Sequence, residues 1–315
     1  MEYLFAAMFC MVCIIVTRLL PDTPYHQRRL FMTRQPLISL NTADHARDSA
    51  GMRYVYPVLS RRAGGISVGI NLNPNNACNW RCIYCQVPDL TRGGPPPIDL
   101  ALLEDELATL LDNIHSGQLI INHQRPDTRL VVDVAFSGNG EPTSAAEFPA
   151  AIAIAQKVLA ARGLADLVKL RLITNGSLLD RRTVQQGIAL LGEASGEVWF
   201  KLDSASAAGL AQINGTRTSP QAVMRRLTRC IALAPTWVQT CFFLLDKQPP
   251  AETEIAAYLA LLAPIAAQLE GVHLYGLARP SLQKEASRLS RMTSDGLENI
   301  AQHIRQIGLR VHVSP

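Results

Sequence analysis

From residue 64 onward the chain alternates short apolar runs with amphipathic stretches, and the two periods separate along most of its length. Residues 66–72 predict a first strand, and the β-branched run 130–136 predicts a second. Residues 168–173, 198–202, 238–245 and 272–277 predict four more. Between the first two, Leu100, Leu103, Leu107, Leu110, Leu111 and Ile114 make an apolar stripe at helical spacing behind a capping Asp99. Further helices are expected over 145–161, 178–191, 206–213, 220–233, 252–269 and 294–307, several of them stopped by Gly163, Gly192 or Gly271. A short apolar run, 309–313, follows the last helix. Six strands alternating with helices predict βαβ units and an α/β fold with a parallel sheet. That sheet is either open and doubly wound or part of an incomplete barrel.

Composition narrows the class without naming a function. Hydrophobic content of 48% and charged content of 18% describe a globular chain with a sizeable interior. The net charge of +4 is mild and no run of five like charges occurs, so nucleic-acid binding is allowed but not indicated. Residues 3–16 are almost wholly apolar, short of the roughly 20 needed to cross a bilayer. They follow Met-Glu and lead to no small-residue cleavage site. Residues 1–31 are therefore expected to be a mis-assigned start, with a membrane anchor as the second reading, 32–63 an N-terminal extension and 64–315 a single core domain. No stable membrane association is expected.

The chemistry is concentrated after the first strand. Cys78-Asn79-Trp80-Arg81-Cys82-Ile83-Tyr84-Cys85 brings three thiols within eight residues. A structural zinc site takes four protein ligands, and a fully ligated iron–sulfur cube also takes four cysteines. Zinc with His123 or Cys241 as fourth ligand fits the spacing, and so does a cube with one iron left open. Thiols held for metal imply a reducing, cytoplasmic setting. Cys230 and Cys241 fall in a helix and a strand without a third partner and read as buried small hydrophobes.

The ends of the other predicted strands are polar as well. They carry Ser137-Gly138-Asn139-Gly140-Glu141-Pro142, Thr174-Asn175-Gly176-Ser177, Lys201-Leu202-Asp203-Ser204, Asp246-Lys247 and Arg279-Pro280-Ser281. In parallel α/β folds chemistry gathers at the carboxyl ends of strands, so these ends suggest one lined cavity.

The three-cysteine loop, with an aromatic residue before its last cysteine, resembles the signature of the radical S-adenosylmethionine (radical SAM) superfamily. The resemblance runs from about Gly64 to about Val313. It implies a partial (β/α)6 TIM-like barrel and a 4Fe–4S cluster on Cys78, Cys82 and Cys85. Gly138, Asn139, Gly140 and Glu141 look like the family's Gly-Gly-Glu-Pro element, with Asn139 for a glycine, whose carbonyls hold the AdoMet ammonium. Glu141 would aid that ammonium or brace the loop. Asn175 resembles a third-strand position near the ribose and carboxylate. Lys201 and Asp203 match strand-four positions near methionine or ribose, and Tyr84 would lie by the adenine.

The implied reaction is reductive cleavage of AdoMet to methionine and a 5′-deoxyadenosyl radical, which abstracts hydrogen from a substrate. An external electron donor such as flavodoxin or ferredoxin is implied too. The substrate stays open among RNA, nucleotides and proteins. The run Asn71–Ala77 is similar to wyosine-type tRNA-modifying and molybdenum-cofactor cyclase groups, although the extra cysteine cluster of those groups is missing here.

Overall fold

Valine-, isoleucine- and leucine-rich runs form strands here because β-branched and aliphatic side chains pack well on a pleated, half-buried surface. The computed structural model describes residues 39–40, 50–60, 65–117, 120–121 and 131–315, all within the unit Ile38–Pro315. The apolar segment 1–31 and His123 lie outside the described residues. The main sheet has eight strands: β1 Val55–Ser60, β2 Gly65–Ile70, β3 Val131–Phe136, β4 Lys169–Thr174, β5 Glu197–Lys201, β6 Thr236–Cys241, β7 Gly271–Tyr275 and β8 Val311–Ser314. They lie side by side in chain order. β1 is antiparallel to β2, and every later pairing is parallel.

Helices follow each strand from β2 to β7. They are α1 Leu100–His115, α2 Phe148–Ala161, α3 Arg182–Glu193, the pair α4 Ala207–Asn214 and α5 Pro220–Ile231, α6 Glu252–Leu262, and α7 Ser294–Gln306. These are the six expected βα units, and the sheet they cover curls into the expected partial barrel. Asp99 caps α1, its carboxylate accepting from the Leu102 amide at 3.0 Å.

Three local departures have simple causes. The sequence reading missed β1 because Pro57 interrupts it, and a proline in a strand is tolerated at a sheet edge, where β1 sits. The expected helix 252–269 ends as α6 at Leu262, and Pro264 turns the remainder into the tighter helix Ala263–Gln268. The expected strand 238–245 stops at Cys241; Leu244–Leu245 then pairs with Leu289–Ser290 before Asp246 and Lys247 turn at positive φ.

The two faces of the sheet differ in kind. Val134, Phe136, Leu172, Val198, Phe200, Val238 and Leu274 are buried toward the helices in the main core. The alternate residues face inward, and a closed barrel would fill that space with bulky aliphatic side chains. Here Asp133, Arg171, Trp199, Lys201, Gln239 and Tyr275 line a cavity instead. Arg171 binds both Asp133 and Glu197, and its guanidinium lies 4.8 Å from the Trp199 ring. Sequence periodicity gave no hint of this inner polar layer, because single charges in apolar strands look like solvent-facing residues.

Candidate functional site

The cysteine loop starts where β2 runs out. Asn71 Oδ1 accepts from the Asn73 amide at 3.0 Å and from the Asn139 amide at 3.1 Å, tying the end of β2 to the turn after β3. Asn73 Nδ2 donates to the Ala77 carbonyl at 3.0 Å and to Ser144 Oγ at 3.2 Å. Ala77–Cys78 then pairs with Thr91–Arg92, closing the loop at its base. Other strand ends grip the loop from outside. Asn175 Nδ2 donates to Asn79 Oδ1 at 2.8 Å, and Asn79 Nδ2 to Ser177 Oγ at 2.8 Å. Ser281 Oγ donates to the Ile83 carbonyl at 2.7 Å, and the Arg81 guanidinium binds both oxygens of Glu285, at 3.1 and 2.9 Å.

The thiols face inward although each cysteine keeps some exposed surface. Burial of the sulfurs pushes the Cys78 thiol up to about 11 and the Cys82 thiol up to about 12, so metal binding there displaces protons. Among the described residues no three His, Cys, Asp or Glu side chains close around one metal ion.

The turn after β3 packs against this loop at van der Waals limits. A Cβ on Gly140 would lie 2.1 Å from the Ala77 carbonyl oxygen and 2.6 Å from Asn73 Cγ. At Gly138, with φ +137°, a Cβ would meet Asn71 Oδ1 at 2.5 Å. The close approach that requires glycine here is therefore to the cysteine loop itself. Asn139, where the family pattern has glycine, donates from Nδ2 to Asn76 Oδ1 at 2.6 Å, a further tie between the turn and the segment before Cys78. Its Oδ1 is a buried acceptor without a partner. Gly140→Ala is expected to lower the iron retained per chain and to cost about 1–3 kcal/mol, since backbone rather than a flexible side chain must yield. Iron analysis and a melting curve of the same sample check both effects.

Glu141 is buried, and its carboxylate is fully engaged. Oε1 accepts from Thr143 N at 3.2 Å, Thr143 Oγ1 at 2.6 Å and Thr174 Oγ1 at 2.6 Å, while Oε2 accepts from Asn175 N at 2.7 Å. Of the two roles open to it, bracing is the one these contacts describe: it locks the turn after β3 to the end of β4. Burial raises its pKa, against the pull of the four hydrogen bonds.

Tyr84 and Asp203 meet behind the loop. The Tyr84 hydroxyl donates to Asp203 Oδ2 at 2.5 Å, and Asp203 Oδ1 accepts from the Cys241 amide at 2.9 Å. Asp203 is almost fully buried and does not line the cavity, whereas Tyr84 does. Lys201 Nζ lies 3.1 Å from Tyr275 Oη and 5.2 Å from the centre of the Tyr84 ring. Burial opposes the charge of Lys201, but Tyr275, Asp203 and Cys82 around it raise its pKa above the usual lysine range. Ile83, Tyr84, Cys241, Phe243 and Leu277 form a small apolar cluster over this corner, with Tyr84 and Phe243 rings 5.7 Å apart.

Ten of the eleven residues singled out in the sequence thus line one cavity of about 330 Å³: Cys78, Cys82, Cys85, Tyr84, Gly138, Asn139, Gly140, Glu141, Asn175 and Lys201. Asp203 stands behind it. Cys230 packs into the helix-side core with Thr236 Oγ1 donating to its sulfur at 3.5 Å, while Cys241 belongs to the cluster on the cavity side. The sequence reading missed Tyr275 and Asn214, which carry no motif and are recruited only by the fold, and gave no role to Asn79, which lies within the cysteine loop. Among the described residues no helix is long and apolar enough to cross a membrane.

Comparison with known proteins agrees with this architecture. The chain is 32% identical over 134 residues to a UPF0026 protein of Helicobacter pylori, covering 42% of this chain and 37% of that protein. It is 26% identical over 161 residues to a protein named GTPase Obg in Brachyspira hyodysenteriae, covering 50% of this chain and 20% of that one. The chain spans only a fifth to just over a third of the curated relatives it matches. A radical SAM methyltransferase from Sphaerobacter thermophilus shares the fold, with TM-score 0.55 at 12% identity over 82% of this chain and 68% of that one. The profile of the Radical SAM superfamily matches residues 72–259, from the cysteine loop through β6 and into α6. A match over that much of the chain makes this protein a member of the radical SAM superfamily of enzymes.

Proposed function

We propose that Cys78, Cys82 and Cys85 hold a 4Fe–4S cluster with one iron free for AdoMet, and that the protein cleaves AdoMet reductively to act on a substrate still to be identified. The observation that carries this reading is the convergence of three thiols and the polar ends of β3, β4 and β5 on one cavity. The donor set fits the group: the three cysteines line one cavity, and three thiolates are the number that holds a cube with one iron left open. When bound, cluster and AdoMet supply one-electron cleavage of the S–C5′ bond, giving methionine and a 5′-deoxyadenosyl radical that takes hydrogen from substrate.

The chain's own residues then bind, orient and shield. The carbonyls of the turn at Gly138–Gly140 and the unpartnered Asn139 Oδ1 are acceptors suited to an ammonium. The Lys201 ammonium, held charged, suits the AdoMet carboxylate, and Asn175, fixed by Glu141 and Asn79, lines the same cavity. Tyr84, Phe243 and Leu277 close an apolar wall that keeps water from the loop. An external one-electron donor such as flavodoxin or ferredoxin is part of the reading. None of the binding residues needs to act as a general base, which agrees with the absence of a triad from the sequence.

The test is anaerobic purification and reconstitution, followed by AdoMet and dithionite with detection of 5′-deoxyadenosine. Formation of deoxyadenosine that depends on all three cysteines is the expected result. A protein that takes up only zinc would overturn the reading. A cluster that forms without any AdoMet turnover would favour an iron–sulfur sensor instead.

A further inference from the structure

No local motif surrounds Asn214, yet its side chain touches the cysteine loop directly. It is completely buried at the end of α4. Its Nδ2 donates to Asp203 Oδ2 at 2.8 Å and to Cys82 Sγ at 3.3 Å. A carboxylate and a metal-bound thiolate both only accept, so the NH2 of the amide has to face them. The other end of the amide bears the consequence: Asn214 Oδ1 is buried with no partner. A stranded buried carbonyl is destabilising, so packing alone gives no reason for an amide at this position.

The geometry points to Asn214 as a positioning residue that raises the reduction potential of the centre held by Cys78, Cys82 and Cys85, through its hydrogen bond to Cys82 Sγ. This rests on the cluster reading above. An N–H directed at a ligand sulfur draws electron density from it and so stabilises the reduced, more negative state. The donor is aimed by a rigid support. Asp203 is held by the Tyr84 hydroxyl and the Cys241 amide, and it in turn holds the Asn214 amide. The backbone reinforces the approach: the Asn214 carbonyl accepts from Arg81 N at 3.1 Å and the Ile213 carbonyl from Ile83 N at 2.9 Å. The end of α4 therefore grips the loop on both sides of Cys82 while its side chain reaches the sulfur. Because Tyr84 also lines the cavity, the same support connects the AdoMet pocket to the cluster ligand.

The experiment compares Asn214→Ala and Asn214→Leu with the unmodified protein, each reconstituted without oxygen and titrated potentiometrically without AdoMet, the reduced cluster being read by EPR. Both variants keep the backbone bond to Arg81 and lose the N–H. Both are expected to be harder to reduce. At a fixed potential the ratio of reduced to oxidised cluster should fall about three- to tenfold, a shift of about 28–59 mV to more negative potential for one electron. Alanine leaves a void and leucine fills it, so a merely structural disturbance would separate the two, whereas loss of the donor moves both the same way. Unchanged or more positive potentials at full iron content overturn the inference.

If neither variant holds iron, protein carrying 15N-labelled asparagine side chains decides the matter. Among the described residues Asn214 is the asparagine whose side-chain nitrogen donates to a cysteine sulfur. A 15N coupling to the reduced cluster is expected in pulsed EPR, and its absence overturns the inference. An unmodified protein that binds no iron would instead sink the cluster reading itself.

Discussion

Cys82→Ala is expected to abolish iron binding and, with it, all reductive AdoMet cleavage. Three thiols are the minimum that holds a cube with one open iron, and Cys82 is the middle one of the loop. Its sulfur receives the Asn214 amide, and its carbonyl accepts from Cys85 N at 3.0 Å. Only the sulfur is lost in the variant. The bonds from Arg81 N to the Asn214 carbonyl and from Ile83 N to the Ile213 carbonyl stay, as do the grips of Ser281 and Asn175 on the loop. The iron-free variant should therefore fold and melt within about 1–2 kcal/mol of the iron-free parent. Cys230→Ala is the matching control. That thiol lies fully buried in the helix-side core, so its loss should cost stability while leaving iron content and deoxyadenosine formation intact. Iron per chain and deoxyadenosine yield, measured on both variants, check the contrast. A Cys82→Ala protein that still cleaves AdoMet would remove the loop from the chemistry.

The sequence made most of the scaffold legible because the scaffold depends on local rules. Apolar spacing marked α1, Asp99 marked its start, and the alternation of runs predicted six βα units. The cysteine loop was legible for the same reason, since its three ligands are close neighbours in the chain. What the sequence left open lay where the deciding partner is remote. Glu141 alone could bind a ligand or brace a loop; Thr174 and Asn175, more than thirty residues away, settle where its carboxylate goes. Asp203 looked like a cavity residue from its place after β5, but Tyr84, 119 residues earlier, draws it behind the cavity wall. Asn214 becomes a neighbour of Cys82 only when α4 docks on the loop, 132 residues away in sequence. Glycine at 140 was legible as a need for close backbone approach, but what approaches is the Ala77 carbonyl.

Glu141→Ala is expected to have the largest effect on stability of any single change at the cavity. The substitution strands two threonine hydroxyls and two backbone amides that now donate to one carboxylate, at distances between 2.6 and 3.2 Å. Removing one partner from a buried charge-assisted network costs about 3–5 kcal/mol, because the groups left behind stay buried and unpaired. For a domain of this size that corresponds to a fall in Tm on the order of 10 °C. Glu141→Gln should fall between the two proteins. Its amide keeps one acceptor oxygen but turns donors toward the Asn175 N–H or the threonine hydroxyls, which also donate. The loss reaches the ligand pocket through Asn175, whose amide would no longer be pinned and whose side chain holds Asn79 in the cysteine loop. Weaker AdoMet binding should therefore accompany the lower Tm in both variants, with Glu141→Ala the worse, as calorimetric titration and thermal melts of the same samples would show. If instead AdoMet affinity falls while Tm stays at the parent value, the bracing role is wrong. The carboxylate would then have to leave its threonines and meet the ligand directly.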